Sequence, residues 1–137
     1  MARDNRYYLL AKYENHDNIL PFRLDKIINA KVSYPHNYEN NINPYEYVKN
    51  RLYMHSGEIE QFTLLCDNKI LDDVIDLFGK NIHIMPHNEN QFVTIVKTTK
   101  QAIIYFALQY VNYVKVTSPD SLRLEIKKIL EEAIKKY

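Results

Sequence analysis

From residue 58 onward, hydrophobic positions recur in a regular succession of strand-like and helix-like segments. "EIEQFTLLC" predicts a strand. "NKILDDVIDLFG" places Ile70, Leu71, Val74, Ile75 and Phe78 at helical spacing, with Gly79 where a C-cap glycine belongs. "NIHIMP" predicts a strand, "HNEN" a turn and "QFVTIVKT" a further strand. "TKQAIIYFALQYV" then predicts a helix and "YVKVT" a strand. The order β-α-β-β-α-β over 58–117 is the ferredoxin-like split βαβ pattern. A last helix follows in "SPDSLRLEIKKILEEAIKKY", with Ser118 as N-cap, Pro119 at the first helical position and Asp120 at the positive end of the dipole. Its apolar stripe is Leu122, Ile126, Ile129, Ala133 and Tyr137, and Glu131–Lys135 and Glu132–Lys136 are spaced as exposed ion pairs.

The first 57 residues have another character. "RYYLLAKY" predicts a strand with Arg6, Tyr8, Leu10 and Lys12 on one face and Tyr7, Leu9, Ala11 and Tyr13 on the other. "ENHDN" is a turn, and "ILPFRLDKIINAKVS" predicts a second long strand with Pro21 near its start. Such a hairpin needs more sheet around it to be stable. An Asn- and Tyr-rich loop over 34–50 leads into a short helix opened by Asn43 and Pro44, with Tyr47, Val48, Arg51 and Leu52 able to line one face. The fold class that follows is α+β: a β unit over 1–57 and a ferredoxin-like unit with an added C-terminal helix over 58–137.

Composition narrows the function. The chain has 137 residues, the length of about one domain or of two very small ones. Its net charge is +1, so a nucleic-acid site has to be a local patch rather than a global field. Two glycines, Gly57 and Gly79, leave no glycine-rich phosphate loop. Turns fall to Asn and Asp instead. The lone cysteine, Cys66, excludes an intramolecular disulfide and fits a reducing compartment. There is no signal peptide, and "AIIYFALQYV" is too short to span a bilayer. These features predict a soluble, cytoplasmic chain.

Three motifs carry a resemblance. Tyr7-Tyr8-Leu9, Phe22-Arg23-Leu24-Asp25-Lys26-Ile27 and Val116-Thr117-Ser118-Pro119-Asp120-Ser121-Leu122-Arg123 resemble, in order, the three signatures of the WYL domain and its C-terminal extension in bacterial transcriptional regulators. Tyr7 stands where the family has Trp, and Lys26 where it usually has Arg. The resemblance covers nearly the whole chain. It implies a partial Sm-like (SH3-type) barrel followed by the ferredoxin-like extension. Only six residues precede the first motif, whereas the family places further barrel elements and a winged helix-turn-helix upstream. The chain thus resembles a C-terminal part of such a regulator, reaching DNA only through a domain it lacks. An incomplete barrel leaves an open sheet edge that a second copy can pair with, so a homodimer is expected.

The resemblance also implies a sensor for an anionic ligand such as single-stranded nucleic acid or a nucleotide. Carried onto this chain, Arg23 and Lys26 are the cationic candidates, Asp25 orients one of them, Tyr8 is the aromatic candidate, and Arg6 and Lys12 widen the patch. Arg offers phosphate a planar fork and Lys a point charge, while an aromatic ring can stack a base. Strand alternation sets Arg23 and Asp25 on one face and Lys26 on the other. The plainer reading of the same charges is an edge-strand pattern that blocks aggregation.

Other constellations are weaker. His83 and His87 are four apart, but Pro86 and a strand reading break metal-pair geometry, so no metal or cofactor is expected. Asp72, Asp73 and Asp76 suit the start of a helix. Ser56 beside His55 is adjacency without a motif. With no nucleophile–base pair, the sequence reads as a non-enzymatic sensing and dimerisation module. The rival reading is a pure oligomerisation module without a ligand.

Overall fold

The computed structural model describes residues 2–3, 5–13, 17–33 and 42–137. The chain is α+β and forms two compact units, Met1–Lys49 and Asn50–Tyr137. Residues 14–16 of the expected turn at "ENHDN" and 34–41 of the Asn-rich loop lie outside the described residues.

The first unit is a three-stranded antiparallel meander of β1 (Ala2–Arg3), β2 (Arg6–Lys12) and β3 (Ile19–Arg23), in that order. No closed barrel forms among the described residues. Asn5 turns β1 into β2 at φ 59°, a left-handed conformation that Asn tolerates. Pro21 lies on the edge strand, where its missing N–H costs least. The helix α1 (Pro44–Lys49) is opened by Asn43, whose Oδ1 accepts the Tyr45 N–H at 3.0 Å. The Tyr47 hydroxyl donates to the Ile19 carbonyl at 3.0 Å and ties α1 to β3.

The second strand is shorter than its pattern predicts. It stops at Arg23, Leu24–Lys26 form a single 3-10 turn closed by Ile27 N–H on the Leu24 carbonyl, and 27–33 carry no regular structure. Register limits the strand: with Tyr8 opposite Arg23, only Tyr7 and Arg6 of β2 lie beyond, so most of a strand running to Ser33 would be unpaired and gain no ladder bonds.

The second unit is built on β4 (Ile59–Asp67), β5 (His83–Pro86), β6 (Gln91–Thr99) and β7 (Val114–Ser118), with α2 (Leu71–Phe78), α3 (Lys100–Gln109) and α4 (Asp120–Ile134). The sheet order is β5-β6-β4-β7 and every pairing is antiparallel. This is the ferredoxin-like arrangement, with α4 added. Phe62, Leu64 and Cys66 of β4 and Phe92 and Val96 of β6 share a core with Val74, Ile103, Phe106, Leu122 and Ile126. Three buried threonines on β6 stay satisfied. Thr94 Oγ1 donates to the His83 carbonyl at 2.9 Å, Thr98 Oγ1 accepts from Leu52 N–H at 3.3 Å, and Thr99 Oγ1 caps α3 through Ala102 N–H at 3.4 Å.

The boundary between units lies before Gly57 because Leu52 belongs to the second core. The start of α4 is also shifted. β7 runs through Ser118, Pro119 becomes the N-cap with no side-chain bond, and the helix opens at Asp120. Leu122 and Ile126 are buried as the stripe predicts, whereas Tyr137 is fully exposed. Glu131 lies 3.8 Å from Lys127, one turn before it, rather than pairing with Lys135.

Candidate anion site on the hairpin unit

Hairpin register sets the candidate site. Tyr8 on β2 stands opposite Arg23 on β3, and the 3-10 turn carries Asp25 and Lys26 directly beyond it. Asp25 and Lys26 are therefore turn residues, which corrects the strand alternation expected for them. The turn changes their aim, so the opposition of Lys26 to Arg23 across a strand no longer applies.

Within the turn, Arg23 folds onto Asp25. Its Nε donates to Asp25 Oδ1 at 3.0 Å and its Nη2 to Oδ2 at 2.5 Å. The bond to Asp25 holds the guanidinium above its ordinary pKa, and the reciprocal bond holds the Asp25 carboxyl below the usual carboxylate range. Lys26 adds a smaller electrostatic pull on the same carboxylate. Two of the five guanidinium N–H donors are thus committed, and among the described residues none bonds Nη1.

The remaining candidates separate. Tyr8 retains 9% exposure, so its ring is packed and does not present a face for a base to stack on. Lys12 pairs with Ile19, four residues along β2 from Tyr8 or roughly 13 Å at strand rise. Arg6 opposes Arg3 on the other neighbour, β1. The structure therefore brings Arg23, Asp25 and Lys26 together and spreads Arg6 and Lys12 along the strand. On the opposite face of β2, Tyr7 is 63% and Leu9 48% exposed.

In the second unit, His83 is exposed on β5, and His87 follows that strand. Among the described residues no three His, Cys, Asp or Glu side chains stand close enough to hold a metal ion. Asp72 and Asp73 occupy the first turn of α2, while Asp76 sits in its second half. The His55 ring lies 5.1 Å from that of Tyr105, and burial lowers its pKa. Among the described residues no helix is long and apolar enough to cross a membrane.

One concave feature was not marked by the sequence. A groove of about 320 Å³ opens between the end of α3, β7 and α4. The signal that could have found it is Arg123 and Lys127, one turn apart on α4 and flanking Ile126 of the apolar stripe.

Compared with known proteins, the chain matches no family model, and no curated protein is similar to it at a significant level.

Proposed function

We propose that the chain is the regulatory part of a WYL-type transcriptional regulator acting in the cytoplasm, and that its hairpin unit takes a phosphate-bearing effector, single-stranded nucleic acid or a nucleotide, at Arg23. The observation that carries this reading is the Arg23–Asp25 brace. It fixes the plane of one guanidinium at the end of β3 while Lys26 adds a second cation beside it. A planar fork next to a point charge suits a phosphate diester. In this reading, effector binding alters how protomers pair, and pairing sets the spacing of attached DNA-binding domains. The chain itself performs no chemistry on the effector.

The test is a fluorescence-anisotropy titration of a short single-stranded oligonucleotide at low and near-physiological salt, with Arg23→Ala alongside. Binding that weakens with salt and with the substitution is expected. Binding indifferent to Arg23→Ala overturns the assignment of the site.

A second reading is supported by the exposure of the apolar Tyr7 and Leu9 on one face of β2. It is a homodimerisation module with no effector. Light scattering over a wide concentration range separates the two: a tight dimer that ignores oligonucleotide favours the second, and a monomer throughout excludes it.

A further inference from the structure

We propose that the groove of the second unit binds a medium-chain aliphatic carboxylate, its chain on the apolar floor and its carboxylate at the cationic mouth. The inference is independent of the hairpin reading.

The groove's lining divides by exposure. Ala107, Val116 and Ile126 are buried and form the floor. Arg123, Lys127 and Lys115 line the same groove and are exposed, so they stand at its mouth. An apolar floor beneath a rim with three cations is complementary to a molecule that is apolar along its length and negative at one end. A neutral apolar ligand would leave the rim unused, and a compact anion such as phosphate would leave the floor wet. A volume of about 320 Å³ sits at the small end of ligand cavities, which excludes large lipids with two chains.

The cations differ in how they are held. Arg123 lies 3.0 Å from Asp120 and Lys127 lies 3.8 Å from Glu131, both exposed pairs on the surface of α4. Such pairs contribute little and exchange readily with an arriving carboxylate. Among the described residues no carboxylate lies within ion-pair distance of Lys115. Lys115 is on β7, the edge strand of the sheet, and alternates away from the buried Val116. Lys115 lines the groove from the edge strand, whereas Arg123 and Lys127 belong to the helix that forms one wall. The helix pair is accordingly the principal carboxylate contact, and Lys115 adds long-range attraction.

The experiment is an amide-resolved NMR titration of the full chain with octanoate, repeated with 1-octanol and with acetate. Saturable shifts confined to 107–116 and 123–130 are expected for octanoate, with 1-octanol and acetate each weaker by about tenfold or more, one charge-assisted contact or one apolar chain being lost. The double substitution Arg123→Ala, Lys127→Ala changes only exposed side chains and is expected to weaken octanoate to the level of 1-octanol without altering the folded spectrum. No saturable shift in the groove, equal affinity for 1-octanol, or octanoate binding unchanged in the double variant would each overturn the proposal. If the double variant unfolds, the comparison of octanoate with 1-octanol on the unsubstituted chain decides alone.

Discussion

The guanidinium of Arg23 lies side-on against the carboxylate of Asp25, with Nε and Nη2 each donating to a different oxygen. Arg23 is one-third exposed and Asp25 more than half, so water screens the pair and it adds little to stability. Its consequence is for binding. Asp25 aims Arg23 and also competes for it. Replacing Asp25 with Asn keeps an acceptor and removes the charge. Oligonucleotide affinity at low salt is expected to rise by about fivefold, the weight of one unit charge a few ångströms away in water. Anisotropy titration of Asp25→Asn beside the unsubstituted chain measures it. A fall in affinity would mean that the brace matters more than the competition.

The same residues show where sequence reasoning stops. The succession of strands and helices after residue 58 was legible because β4, β6 and α4 each bury one face, and burial imposes its period on the sequence. Phe62, Leu64 and Cys66 alternate on β4 against Phe92, Thr94 and Val96 on β6, and all six are buried. The end of β3 was not legible. Leu24, Ile27 and Val32 continue a strand-like pattern but are 46%, 39% and 97% exposed, so no buried face enforces it. The partnership of Arg23 and Asp25 could be read from their spacing, whereas the packing of Tyr8 depends on tertiary contacts that no local pattern encodes. Arg123 and Lys127 escaped notice because exposed helix cations usually mark only a solvated face.

The second core is keyed by Phe106. Its ring is fully buried and meets Phe78 edge-on at 5.1 Å and Tyr110 at 5.0 Å. Truncation removes both aromatic contacts and leaves a cavity that helices α2 and α3 cannot close without losing their own contacts with the sheet. Phe106→Ala is expected to cost about 3–5 kcal/mol in urea unfolding of the chain. Tyr105→Ala, one residue earlier and 49% exposed, is expected to cost far less.

Gly79 supplies a conformation rather than a space. It ends α2 at φ 92° and ψ 164°, its N–H donating to the Ile75 carbonyl at 2.8 Å. A Cβ placed there meets nothing within 4 Å. The penalty for Gly79→Ala is therefore purely backbone strain, about 1–3 kcal/mol. Lys80→Ala at the adjacent exposed position is the control and is expected to leave the denaturation midpoint nearly unchanged.

Cys66 makes the integrity of the same core measurable. Its thiol is fully buried on β4, and burial pushes its pKa up to about 12 from 9.0. The thiolate is the reactive form, so native protein at neutral pH is expected to resist a thiol reagent and to react only through opening of the second unit. Phe106→Ala should then speed labelling by the factor by which it raises the unfolding equilibrium constant, about tenfold for each 1.4 kcal/mol lost, provided that opening and closing are fast relative to modification. The pH dependence has a definite sign. The folded state keeps its thiol proton to higher pH than the unfolded state does, so this contribution to stability is complete below about 9 and is lost as pH rises towards about 12. Denaturation midpoints for the unsubstituted chain and Cys66→Ala, compared between neutral and alkaline pH, isolate it. The unsubstituted chain should lose stability more steeply with pH than the variant, and parallel curves would show that the thiol ionises alike in the folded and unfolded chain, so that burial does not hold its proton.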